Sequence, residues 1–213
     1  MKKIIFTFVL CLLIQGCAST LTFKLDPQVL NGQEQISQEG AKAVISQKKA
    51  RVAIRPLTDT YPSEDRPRFV LSVYGGEEPF NFSTGNIRVF VDGNPHLVFT
   101  YDELVADINE QEKREIKKAE DWRSDQYRSW GASAIITKDF DERINVIQNK
   151  TQKSLADIDA NMLKNATVFP NKWHSGHVII EKIPSPTQPH KIKVIVTAAG
   201  EEHEFLLNHY IVQ

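Results

Sequence analysis

Hydrophobic residues alternate with polar ones at several places in the first half of the chain, the period-two signature of half-buried strands. In 51–57, Val52 and Ile54 fall on one side and Pro56 closes the run. In 69–73, Phe69, Leu71 and Val73 share a face; in 86–91, Ile87, Val89 and Val91 do the same. Asp92-Gly93-Asn94 is a turn signal, because these residue types tolerate positive φ, and a returning strand is expected over 96–100. Four strands in about fifty residues is the spacing of a β-sandwich.

The period then changes. Between Asp102 and Trp130 there is no proline or glycine, and acidic and basic residues interleave. At 100° per residue, Leu104, Val105, Ile108, Ile116, Ala119, Trp122, Tyr127 and Trp130 fall within an arc of roughly 140°. Glu112, Glu115 and Arg123 interrupt that arc, which predicts a half-solvated helix, and Glu110 with Arg114 forms an i,i+4 pair. Residues 131–138 suggest a turn. Asp139 with Glu142 resembles a capping box opening a second helix. On it Phe140, Ile144, Ile147, Thr151, Leu155, Ile158 and Met162 cluster within about 80° of one another, the clearest periodicity in the chain. Two such helices on a short connection should pack antiparallel.

Strands resume over 176–183, 192–197 and 204–212, separated by Pro184, Pro186 and Pro189 and by a turn at Ala199-Gly200. The predicted fold is therefore mainly β with a helical insertion. It is an immunoglobulin-like β-sandwich, residues 51–100 and 166–213, carrying an antiparallel helical hairpin at 101–165. Separate α and β domains are the alternative, but neither strand set alone has enough faces to close a core. Residues 17–50, rich in Gln, Ser and Gly, are expected to form a tether with one short ordered piece near Ala43–Ile45.

The N-terminus has a different pattern. Lys2 and Lys3 precede an apolar run from Ile4 to Ile14. That run covers only about half of the ~30 Å hydrocarbon core, too short for a span, and residues 1–16 fit a secretory signal. Leu13-Ile14-Gln15-Gly16-Cys17 resembles the lipobox of bacterial lipoproteins. The resemblance implies acylation of Cys17 as the mature N-terminus. Ala18, standing where an inner-membrane retention aspartate would be, implies the outer membrane. The order of strands, charged helical insertion and further strands also resembles, architecturally, Gram-negative lipoproteins with immunoglobulin-like domains.

With Cys11 in the leader and Cys17 acylated, no thiol remains for disulfide or catalytic chemistry. The formal charge is −1 and loses two lysines with the leader, so nucleic acid is not an expected partner. There is no Gly-x-Ser-x-Gly elbow, His-Glu-x-x-His, phosphate loop or dinucleotide fingerprint. His174, His177 and His203 are the candidate ligands if a zinc site exists; ordinary strand-end hydrogen bonding is the simpler account. Glu201, Glu202 and Glu204 fit a solvated turn better than paired-carboxylate chemistry. Trp122, Tyr127 and Trp130, near the hairpin turn, are candidates for partner binding, with packing against the second helix as the simpler account.

The expectation is a membrane-tethered, non-enzymatic interaction or assembly module of the cell envelope, without a cofactor and with an envelope protein as partner. Two alternatives remain: a zinc-binding protein or hydrolase using the late histidines, and a structural protein self-associating through its helices.

Overall fold

The computed structural model describes residues 21–38, 40–184 and 188–212. Thirteen strands and two long helices follow one another among them. β1 (Thr22–Gln28), β2 (Gln33–Gln38), β3 (Ala41–Gln47), β4 (Arg51–Pro56), β5 (Thr60–Pro62), β6 (Arg68–Tyr74), β7 (Phe80–Phe82), β8 (Ile87–Val91) and β9 (Asn94–His96) come first. Then come α1 (Tyr101–Trp130), α2 (Ala134–Asn161), β10 (Ala166–Val168), β11 (Trp173–Ile179), β12 (His190–Ala198) and β13 (Glu201–Val212).

The strands form two large sheets, in the orders β5-β1-β13-β12-β8-β9 and β11-β6-β4-β3-β2, with β7 and β10 as a separate pair. Every pairing between these strands is antiparallel. Alternation explains how they pack. Phe23 and Leu25 of β1, Val194 and Val196 of β12 and Phe205 and Leu207 of β13 point inward from the first sheet. They meet Val52 and Ile54 of β4 and Phe69, Leu71 and Val73 of β6 in one shared core. The fold is a β-sandwich with a helical hairpin, as the two hydrophobic periods predicted.

The expected tether over 17–50 is corrected by β1, β2 and β3. β1 lies inside the first sheet, between β5 and β13, with Phe23 opposite Ile211 and Leu25 opposite His209. A polar composition concealed a strand whose alternate residues are buried. Cys17 and the rest of the leader lie outside the described residues.

Three smaller differences have local causes. α2 begins at Ala134, capped by Ser133, whose Oγ accepts the Ile136 N–H; Asp139 is inside the helix and not its cap. Glu110 pairs with Lys113 at 2.6 Å instead of with Arg114. β9 stops at His96, and Thr100, its backbone still extended, caps α1 by exchanging hydrogen bonds with Glu103.

Candidate interaction site

The hairpin has a root, an arm and a tip. At the root Leu104, Ile158 and Met162 pack on Ile179, which faces outward from β11, with Phe99, Val105, Ile108 and Leu155 around them. The chain returning from α2 crosses β11 so closely that a Cβ on Gly176 would lie 2.4 Å from the Leu163 Cα. Two arginines from the edge of β6 hold the two helices there. Arg66 lies over the Phe99 ring and pairs with Asp107 at 2.9 Å, while Arg68 pairs with Asp157 at 3.1 Å. These pairs are half-exposed, so they fix direction more than they add stability.

Beyond Asp107 the arm is held by its own two helices. Ala119 and Thr151 are buried, and Ile144, Ile147 and Leu155 are half-buried along the seam. Arg143 lies 4.1 Å over the Trp122 ring and Arg123 lies 4.0 Å over the Phe140 ring, a reciprocal pair of cation–π contacts across the helices. Asp107 to Trp130 spans 24 residues of α1, an arm about 35 Å long at 1.5 Å per residue. A shallow groove of about 710 Å³ along it is lined by Glu115, Lys118, Glu142 and Arg143 together with Ala119, Ile147 and the exposed Val146.

The tip is different in character. Gly131, at φ 75°, ends α1 by donating its N–H to the Tyr127 carbonyl, and Ser133 starts α2. Trp130 is 81% exposed and Ile135 is 72% exposed, one on each side of this turn. The three aromatic candidates therefore separate. Trp122 is covered by Arg143 and Tyr127 bonds Thr137 at 3.0 Å, so both serve the hairpin, whereas Trp130 faces solvent.

The histidine candidates do not converge. His174 and His177, three residues apart on β11, point to opposite faces. His174 donates its Nε2–H to the Lys164 carbonyl at 2.8 Å. His177 is half-buried, and burial lowers its pKa. His203 is fully buried on β13 with Nδ1 3.0 Å from the Ser46 hydroxyl of β3, three strands and roughly 14 Å from β11. Among the described residues no three His, Cys, Asp or Glu side chains are placed to hold a metal ion. The three glutamates of β13 have structural partners: Glu201 accepts the Lys49 N–H, Glu202 pairs with Arg88 and Glu204 with Lys193.

A histidine cluster that the sequence did not suggest lies at one end of the first sheet. His209, fully buried, has Nε2 2.7 Å from the Tyr61 hydroxyl and stacks on His190, whose Nδ1 meets Asp92. Burial pushes the Tyr61 hydroxyl pKa well up, and the Lys191 N–H followed by His190 pulls Asp92 down. The only sequence signal was the shared face of His203 and His209 on one strand; Tyr61 and His190 arrive from other strands. Tyr61, His209, His190 and Asp92 thus form a row of polar contacts at the end of the core.

No protein-family model, curated protein or solved structure matches the chain.

Proposed function

We propose that this protein is a lipid-anchored, non-enzymatic module of the bacterial cell envelope, attached through Cys17 to the outer membrane and interacting through its helical hairpin. The observation that carries the reading is the arm: about 35 Å of helix that rests on the sandwich only at its root and ends in an exposed tryptophan and isoleucine. A helix pair serving only stability would bury its large apolar residues, and Trp130 and Ile135 are left in water instead. The lipobox-like sequence ending at Cys17 supports the anchoring half of the reading. No helix among the described residues is long and apolar enough to cross a membrane.

Fractionation tests the anchor. Cys17→Ser is expected to move the protein from the membrane fraction to the soluble fraction. A variant that still sediments with membranes and resists a salt wash overturns the anchoring.

A further inference from the structure

We infer that the hairpin tip is a lipid-insertion element, which seats Trp130 and Ile135 in the interfacial layer of a bilayer. The inference rests on the membrane-tethered reading and deepens it by naming what the arm touches. Three observations point to lipid.

The first is charge. Residues 129–137, Ser-Trp-Gly-Ala-Ser-Ala-Ile-Ile-Thr, hold no ionisable side chain in a chain that is 25% charged, and Arg128 and Lys138 bound them on both sides. Acids follow directly outside the segment: Asp125 pairs with Arg128 at 3.6 Å, Asp139 is next to Lys138, and Glu142 pairs with Lys138 at 3.8 Å. An uncharged cap bounded on both sides by charged residues matches the layered polarity of a membrane surface. Tryptophan favours the headgroup level, and long cationic side chains reach back to phosphates.

The second is size. The exposed parts of Trp130 and Ile135 amount to roughly 300 Å², against the ~800 Å² per partner of a stable protein interface. A bilayer requires no matching surface, so a small apolar tip suffices there.

The third is the backbone. A turn entering a bilayer must satisfy its own polar groups. Here the Gly131 N–H goes to the Tyr127 carbonyl, the Ile136 N–H to the Ser133 hydroxyl and the Thr137 N–H to the Ser133 carbonyl. The Thr137 and Tyr127 hydroxyls bond each other. The tip is presented as a closed turn whose remaining polar groups suit the headgroup layer.

The test uses the full chain reconstituted into phosphatidylethanolamine–phosphatidylglycerol vesicles. An environment-sensitive fluorophore is attached at Ala132→Cys in the turn or, as the control, at Ser124→Cys on the exposed side of the arm. At position 132 the emission should shift to the blue, be quenched by lipid-borne nitroxide and be shielded from aqueous iodide; position 124 should show the reverse. Adding Trp130→Ser and Ile135→Ser should abolish the shift at 132. Equal iodide access at both positions overturns the inference, and so does protection at 132 that appears only after envelope proteins are added, which would assign the tip to a protein partner. The intact mass of the same preparation reads acylation of Cys17, so failure of the anchor is seen separately from failure of the tip.

Discussion

Two histidines occupy core positions on β13. His203 and His209 are fully buried in line with Phe205 and Leu207. Burial, reinforced by Lys48, lowers the His203 pKa to about 4; burial, reinforced by His190, does the same for His209, while Glu201 and Asp92 oppose these effects only in part. An unfolded imidazole titrates near 6.5. Above that pH both states are neutral and the histidines' contribution is fully present. As pH falls from about 6.5 towards 4 the unfolded chain binds protons that the folded chain refuses, so stability declines. Urea midpoints should therefore drop across this window, and His203→Gln or His209→Gln should flatten the slope. A pH-independent midpoint between 7 and 4.5 would mean that these rings reach water in the native state. Also at this scale, Gly176→Ala should cost about 2–4 kcal/mol in chemical denaturation, because its Cβ would collide with Leu163 backbone and not with a side chain able to move. A loss below about 0.5 kcal/mol would show that the crossing is loose.

Among the elements, the helices were the most readable in the sequence. The apolar positions from Phe140 to Met162 do line one seam, and Leu104 and Ala119 do face it. Root and arm nevertheless differ. Ile158 is buried against Ile179, whereas Ile147 is half-buried between the two helices. Ile158→Asp should lower the main thermal transition, with a loss of about 3 kcal/mol or more from an unpaired charge in an apolar contact. Ile147→Asp should reduce helical signal and speed hydrogen exchange in the arm while the sandwich transition stays near wild type. Identical melting and exchange in both variants would mean that the seam is open. What the sequence concealed also has physical causes. β5, β7 and β10 have three residues each, too few for a period to register. The start of α2 offered two caps, and Ser133 prevailed over Asp139 because Ile136 gains burial from the extra helical turn. The exposure of Trp130 was hidden because angular position places it in the middle of the apolar arc, about 20° from the buried Ala119. Only the structure shows that α1 ends there at the turn, leaving the ring without a covering neighbour.

At the scale of the molecule, the sandwich begins earlier than its composition suggested. Phe23 and Leu25 alternate with Lys24 and Asp26 in a readable strand pattern, but the surrounding glutamines and serines gave the segment the composition of a linker. A chain beginning at Arg51 would lack β1, β2 and β3 and leave β13 without one of its two neighbours. It should lose cooperative unfolding, whereas a true tether could be removed without effect; a sharp transition near wild type would contradict the placement of β1. An anchor at Cys17, as proposed, would be correspondingly short. Cys17 precedes Leu21 by four residue steps, at most about 14 Å of extended chain. The Leu21 carbonyl accepts the Ser63 N–H, and three residues on Arg66 holds Asp107, so the entry of the chain and the base of the arm share one end of the sandwich. On the proposed reading, contacts are made by the arm's tip and not by the sandwich face. Photo-cross-linking in intact cells tests it most directly, with a photoreactive residue placed at Trp130 or Ile135 and, for comparison, at Lys193 or Leu206 on the outer face of the first sheet. Adducts at the two tip positions and none on the sheet face are predicted; adducts on the sheet face with none at the tip would show that the sandwich makes the contacts.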